Sequence, residues 1–461
     1  MEALSIKEIC QAVGGTLKKG DKDSVARGIS TDTRSIAAGD IFFALKGDRF
    51  NGHSYAGSAA ASGAGALVVS EKVDLPKDWP GAVIMVDDTR WALGELAGYY
   101  RSKFNVKVIA VTGSVGKTST KEMIASVLEK KWRVLKNEMN YNNEIGVPLT
   151  LFRLDRSHQI VVLEMAMRGI GEIRRLAAIA KPSVGVITNI GLSHIERLGS
   201  QGAIADAKSE LLAELPPDGT VILNAEDCYY IVLRDRFNGN KVSFGSCQGA
   251  DVIGTRIKCN AAGKCTFTLL VEGGAIEVRL PVPGTHNVYN ALAAAAVAHH
   301  MEVDLYTIRD GLQGFKLPSM RMELTKSKRR YTILNDAYNA NPASMLAALR
   351  TLCVLKGAKR RVAVLGDMLE LGDYAHKAHM DIGTLIAENS IDILVTVGKQ
   401  SLSVAEGAKA AGFSADCIFS FENSLDAAAH LKDKALAGDI ILVKGSRGIC
   451  MEEIVRALYN D

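Results

Sequence analysis

From Val108 to Ser119 the chain reads Val-Ile-Ala-Val-Thr-Gly-Ser-Val-Gly-Lys-Thr-Ser. The apolar run Val108–Val111 reads as a buried strand, and Gly113 and Gly116 allow a tight turn after it. A helical pattern follows from Lys117 to Lys130. In this order, the glycines let backbone N–H groups point at phosphate oxygens, and the helix start adds a positive partial charge. Lys117 supplies a mobile cation, and the Thr118 hydroxyl can reach a divalent metal. The segment predicts a nucleoside-triphosphate site built from Gly113, Ser114, Val115, Gly116, Lys117, Thr118 and Ser119. It departs from the common phosphate-loop pattern, which would place a glycine where Val111 stands.

Strands and helices alternate on either side of this motif. Strands are expected near Lys107–Thr112, Ile160–Met165, Val184–Asn189 and Thr220–Asn224, and helices near Lys117–Lys130, Ile170–Ala180 and Gly202–Glu214. Such alternation implies a parallel sheet covered by helices on both faces. Between Val242 and Pro281 short alternating segments suggest an antiparallel insertion, and a helix over Asn287–His300 closes the unit. A length of 461 residues exceeds what one core supports and fits roughly three domains. The expected division is 1–101, a small α/β unit; 102–316, the phosphate-loop unit; and 317–461, a second α/β unit with a dinucleotide-fold look but no G-x-G-x-x-G.

Charge names no partner. The formal net charge is +4, and the densest basic run, Lys326 to Arg330, reads as a solvated turn. The eight cysteines form no C-x-x-C pair, so neither a zinc site nor a disulfide is expected. The N-terminus has no signal-peptide apolar core, and no apolar run reaches membrane-spanning length; a cytoplasmic protein is expected.

Ligands of open parallel sheets gather at the C-terminal ends of the strands. Glu164 ends one such strand and can hold Mg²⁺ beside phosphates. His194 follows another and can touch metal or phosphate, although on its own it reads as a polar loop residue. Lys208 lies in the amphipathic stretch Ile204–Leu212, and spacing alone makes it a surface lysine.

The order of T-G-S-V-G-K-T-S, Glu164, His194, Ala207-Lys208-Ser209-Glu210 and Gly284-Thr285-His286-Asn287-Val288-Tyr289-Asn290 resembles the Mur ligases, ATP-dependent amide ligases of peptidoglycan synthesis. Four segments resemble the branch that adds a dipeptide, D-alanyl-D-alanine. They are 140–150 with its asparagines Asn140, Asn142 and Asn143, 335–342 with Asn339 and Asn341, 365–372, and 46–53 with Lys46, Asn51 and His53. Branches adding a single amino acid usually carry an aspartate-tyrosine-alanine-histidine pattern where this chain has Asp336-Ala337-Tyr338-Asn339.

The resemblance implies three α/β domains: one for a UDP-linked substrate, a central one for ATP, and a Rossmann-like third. It implies Mg²⁺ held by Thr118, Glu164, His194 and a carbamoylated Lys208. It places Asn287, Asn290 and Arg321 on the nucleotide, with Arg321 on phosphate, and Asp336 on the ribose. Ser30, Thr31, Asp32, Thr33 and Arg34 match the segment that holds the uridine end of the substrate. Lys46, Asn51, His53, Asn140, Asn142, Asn143, Asn339 and Asn341 are further substrate contacts. The turn Lys444–Gly448 reads equally as a plain helix start or as a receptor for the dipeptide carboxylate.

The implied reaction phosphorylates the carboxylate of UDP-N-acetylmuramoyl-tripeptide and then lets the dipeptide amine displace phosphate, on a monomeric enzyme. Lys117, Lys208, His194 and Glu164 are the expected catalytic residues. His194 or a carboxylate would accept the amine proton. The third peptide residue, a lysine or a diaminopimelate, is left open. The alternatives are a ligase that adds a single amino acid, a folylpolyglutamate-type ligase, or a nucleotide-binding regulator without catalysis.

Overall fold

A computed structural model describes residues 1–47 and 50–460. Asp48 and Arg49, inside the 46–53 segment singled out above, lie outside the described residues. The fold consists of α/β units, each built on its own principal sheet.

The central sheet has nine strands. Lys107–Thr112 lies between Val184–Ile187 on one side and Ile160–Glu164 on the other, all parallel. From Lys107–Thr112 the chain goes first to the edge strand Val134–Lys136 and returns to fill the gap with Ile160–Glu164; it then crosses over and builds the other way through Val184–Ile187 to Thr220–Asn224 and Asn240–Gly245. This reversal opens a crevice at the C-terminal end of Lys107–Thr112, the kind of switch point where open parallel sheets bind ligands. The expected antiparallel segment is present and extends the same sheet. Val252–Cys259 pairs parallel to Asn240–Gly245, and Lys264–Val271 pairs antiparallel with both Val252–Cys259 and Gly274–Pro283.

The strands beside the crevice are buried along nearly their whole length, as the unbroken apolar runs Val108–Val111 and Ile160–Leu163 require. One face is covered by the alanine-rich helix His286–His300, buried from Ala291 to Ala298, which packs on the phosphate-loop helix Lys117–Leu128. Small side chains let the two helices approach closely. The helix Thr89–Ser102 starts where Asp88 caps it, accepting from the Arg90 and Trp91 N–H groups.

The N-terminal sheet has the order Thr16–Lys19, Ala82–Met85, Ala66–Val69, Ile41–Phe43, Ile29–Ser30, parallel except for Thr16–Lys19. The C-terminal sheet has six strands in the order Glu323–Lys326, Thr332–Asp336, Asp439–Lys444, Arg360–Gly366, Ile393–Val397, Ile418–Phe421, parallel except for the first. Residues 327–330 form the turn of its first hairpin, as the basic run predicted. After Lys444 the chain makes a 3₁₀ turn, Arg447–Ile449, before the helix Glu452–Tyr459, rather than entering a helix at once.

Two expectations fail. Cys259 and Cys265 are disulfide-bonded, against the absence of disulfides read from their spacing. They face each other across the hairpin Val252–Cys259/Lys264–Val271, with Cα atoms 4.0 Å apart; strand pairing, invisible in a C-x₅-C spacing, brings them together. Lys208 is not a surface lysine: it is 1% exposed in the helix Gln201–Ala213. That helix buries a broad face under the crevice, including Ile204, Ala207 and Leu211. The period that makes a lysine look solvated holds only for a helix with one wet side.

Candidate active site

The phosphate loop begins two residues later than the common pattern because the strand continues through Val111 and Thr112. Val111 is fully buried and pairs with Glu164 and Val186 on its two neighbours. A side chain there packs the core, so no glycine is needed. Gly113 and Gly116 are needed: they adopt φ of 142° and 87°, and a Cβ would lie 2.0 Å from Thr188 Oγ1 and 2.4 Å from Asn290 Oδ1 respectively.

Thr188 and Asn189, which sequence reading passed over, set the loop's shape. Asn189 Oδ1 accepts from the Val115 N–H at 2.9 Å. Asn189 Nδ2 and Thr188 Oγ1 donate to the Val115 carbonyl at 2.9 and 2.6 Å. Their position one strand over, at the end of Val184–Ile187, is the only cue the sequence offers.

Two lysines converge on one carbonyl. Lys117 Nζ donates to Gly113 O at 2.8 Å, and Lys208 Nζ donates to the same oxygen at 3.1 Å. Burial and the neighbouring Lys117 charge push the Lys208 pKa well below that of a free lysine. Lys117 is lowered too, first by burial and then by Arg321, with Glu164 opposing. The pair is poised to accept negative charge.

Glu164 ends its strand as predicted and is 3% exposed. Its Oε2 accepts from Thr118 Oγ1 at 2.7 Å, and its Oε1 accepts from Asn142 Nδ2 at 2.8 Å. Asn137 braces the same residue, accepting from its N–H and donating to its carbonyl, both at 2.9 Å. Asn287 and Asn290 form a buried ladder behind the loop: Asn290 Nδ2 donates to Asn287 Oδ1 at 3.0 Å, and Thr120 Oγ1 donates to Asn290 Oδ1 at 3.3 Å.

The third unit closes over this crevice. His194 Nδ1 lies 2.5 Å from Glu370 Oε2, and Asn341 Nδ2 donates to Ser193 Oγ at 2.9 Å. Both His194 and Glu370 hold left-handed backbone, with φ of 67° and 63°. Glu370's carboxyl is held below the usual range by His194 first, and further by the charges of Arg168 and Arg197, against its burial. Asp336 Oδ2 receives Lys444 Nζ at 2.5 Å, and Met322 N–H donates to its Oδ1 at 3.1 Å. His286, beneath this pair, has its pKa lowered to about 4 by burial and is a neutral imidazole at neutral pH. Arg321 stacks on Tyr338 at 4.1 Å. Between the units lies a cavity of about 890 Å³.

Family models match nearly the whole chain: the Mur ligase family catalytic domain over residues 25–101, the Mur ligase middle domain over 111–298, and the Mur ligase glutamate ligase domain over 320–447. The chain belongs to the Mur ligase family. It is 39% identical to the UDP-N-acetylmuramoyl-tripeptide–D-alanyl-D-alanine ligase of Bacillus subtilis, over 99% of this chain and 98% of that one. A crystal structure of MurF from Acinetobacter baumannii superposes with a TM-score of 0.91 at 34% identity, covering 100% of both chains. The MurF ligase from Thermotoga maritima, solved in complex with ADP, superposes at 0.82 and 26% identity, over 94% of this chain and 97% of that one.

Within this Mur ligase fold, most of the residues singled out in the sequence gather on the cavity. Ser114 to Ser119, Asn140, Asn142, Asn143, Glu164, His194, Asn287, Asn290, Arg321, Asp336, Asn339 and Asn341 line it, together with Lys444 and the turn Ser446–Gly448. Gly113 and Lys208 lie just behind the loop, joined by the contact above. The first unit's candidates stand apart from the cavity lining. Asp32 and Arg34 pair with each other at 2.6 Å, and Ser30 Oγ donates to Asp32 O, so the 30–34 segment forms a self-contained turn with Thr31 and Thr33. Lys46 and Asn51 both bind Glu71, while His53 accepts from Ser70 N–H at 2.9 Å.

Mg²⁺ requires hard oxygen donors beside the phosphates. Thr118 and Glu164 put a hydroxyl and a carboxylate in contact at the mouth of the phosphate loop. No group of three or more His, Cys, Asp or Glu side chains converges among the described residues. A hydroxyl and one carboxylate suit an ion that takes its remaining ligands from phosphates and water, as Mg²⁺ does, and the donor set fits.

Proposed function

We propose that the chain joins D-alanyl-D-alanine to the C-terminal carboxylate of UDP-N-acetylmuramoyl-tripeptide at the expense of ATP, an EC 6.3.2.10-type reaction of peptidoglycan synthesis. The observation that carries this reading is Glu164 held by Thr118 at the phosphate-loop mouth, inside a cavity closed by a third unit, in a chain alike end to end with the dipeptide-adding ligases.

In this reading a carboxylate oxygen of the tripeptide attacks the γ-phosphorus, the bond to ADP breaks, and an acyl phosphate forms. The dipeptide amine then attacks the acyl carbon, the bond to phosphate breaks, and the amine gives up a proton. Both first reactants are anions, so Lys117 and the loop N–H groups must offset their repulsion. Bound Mg²⁺ would neutralise phosphate charge at Thr118 and Glu164, with His194 as a further ligand once it parts from Glu370. Asn287 and Asn290 set the loop against which the nucleotide rests, while Arg321 and Asp336 close over it. The acyl phosphate is prone to hydrolysis; a site closed through contacts such as Asn341–Ser193 keeps water out.

We assign the uridine end to Ser30–Arg34 and the substrate's remaining contacts to Lys46, Asn51, His53, Asn140, Asn142, Asn143, Asn339 and Asn341. We adopt domain boundaries after Arg101 and after Lys316, a monomeric state, and the cytoplasm, where ATP and nucleotide-linked precursors are available. No helix among the described residues is long and apolar enough to cross a membrane.

We further propose that Lys208 is carbamoylated. Its burial and depressed pKa favour the neutral amine, whose nitrogen can attack CO₂ with loss of one proton, turning a cation into a carboxylate. ¹³C NMR of enzyme equilibrated with ¹³C-bicarbonate should show a carbamate resonance that is absent from Lys208→Ala. Its absence from the wild type would sink this point.

Phosphate release with ATP and UDP-N-acetylmuramoyl-tripeptide tests the main reading. Turnover should require D-alanyl-D-alanine and stay near background with single amino acids. Dependence on one amino acid would transfer the chain to another branch of the family. ATP binding without turnover would make it a regulator.

A further inference from the structure

Four of the cavity's lysines and arginines are ion-paired, Lys117 rests on the Gly113 carbonyl and Arg321 stacks on Tyr338. Arg90 is held by Glu144, Arg175 by Glu95, Lys444 by Asp336 and Arg447 by Glu452. Arg168 and Arg197 differ. Both line the cavity, and among the described residues neither guanidinium has a hydrogen-bond or ion-pair partner. Arg168 lies four residues beyond Glu164, and Arg197 lies three beyond His194 in the short helix Ile195–Leu198. Both share the cavity lining with Glu164 and His194. Facing them from the third unit is Glu370, whose carboxylate feels both charges and touches His194.

This corner offers two guanidiniums and one carboxylate beside the reacting end of the tripeptide. The two candidate third residues differ by one group. A lysine side chain ends in an ammonium, whereas a diaminopimelate ends in an ammonium with a carboxylate beside it. A lone ammonium would meet two positive charges and one negative. A carboxylate paired with an ammonium complements all three, and guanidinium–carboxylate pairs bring directional, charge-assisted hydrogen bonds.

Resting on the ligase reading above, we propose that Arg168 and Arg197 receive the distal carboxylate of the acceptor's third residue and Glu370 its ammonium. The chain then selects a diamino diacid over lysine at that position. The unpaired arginines set the preference; the phosphate loop, which sees only the activated carboxylate, has no part in it.

The test is kcat/KM for two acceptors, UDP-N-acetylmuramoyl-tripeptide ending in meso-diaminopimelate or in L-lysine, with ATP and D-alanyl-D-alanine saturating. The wild type should prefer the diaminopimelate acceptor by about tenfold or more, the effect of one well-placed charged contact. Arg168→Gln and Arg197→Gln should each reduce that ratio several-fold, and Arg197→Glu should tilt it toward lysine. ADP binding and thermal unfolding of each variant establish that it is folded. Equal kcat/KM for the two acceptors in the wild type, or an unchanged ratio in all three variants, overturns the assignment. So does a raised KM for D-alanyl-D-alanine with the acceptor ratio intact, which would give the arginines to the dipeptide. Turnover with neither acceptor overturns the ligase reading itself, and this assignment with it.

Discussion

Lys117→Ala should lower kcat by at least about a thousandfold while leaving the protein folded. Lys117 is the only side-chain cation of the phosphate loop, and its Nζ rests on the carbonyls of Gly113 and Ser114. With triphosphate bound, the ammonium would move from those carbonyls to the phosphoryl oxygens, where charge develops during transfer. Preorganised charges at such positions are worth several kcal/mol of barrier, because little reorganisation is needed when the reaction occurs. In the resting protein the same group makes only two backbone contacts, so its removal costs little stability. The measurement is phosphate release alongside thermal unfolding. A rate within tenfold of wild type, at an unchanged melting temperature, would show that Lys117 does not contact the transferred group.

The second large effect concerns stability. Asp336→Ala should destabilise the third unit by about 3–5 kcal/mol, the cost of breaking a buried ion pair from one side. Lys444 is 2% exposed, and its ammonium has two partners, Asp336 Oδ2 at 2.5 Å and the Asn339 carbonyl at 2.9 Å. Removing the carboxylate leaves a buried cation with one neutral acceptor. Asp336→Asn keeps a polar partner and should lose less. Urea unfolding followed by circular dichroism reads the difference, and a loss below about 1 kcal/mol would mean that water reaches Lys444 once the carboxylate is gone. The same variant tests a second role. If Asp336 also holds ribose, the Asn substitution should raise the KM for ATP beyond what its stability change explains.

The pair also illustrates how far a sequence can be read. Asp336 and Lys444 are more than a hundred positions apart, and no local pattern links them. They meet because Thr332–Asp336 and Asp439–Lys444 are neighbouring parallel strands that end together, with Asp336 opposite Lys444. Strand order is set by tertiary packing and leaves no local pattern. The same holds for Cys259 and Cys265, joined by hairpin register, and for Lys208, whose surroundings depend on which helices cover its face.

Local chemistry, by contrast, was legible. The run Lys107–Thr112, the glycines at 113 and 116 and the helix beginning at Lys117 follow from apolar patterning and backbone sterics, which act over a few residues. The acid ending Ile160–Glu164 was visible for the same reason. The family itself was readable from motif order, since that order survives whatever the packing. Tertiary structure alone decided what those motifs touch: that Lys117 and Lys208 share the Gly113 carbonyl, that Thr188 and Asn189 shape the loop, and that His194 meets Glu370 from another unit. Motifs are fixed by short-range sterics and hydrophobic periodicity, whereas partners are chosen by the long-range burial that brings distant strands and domains together.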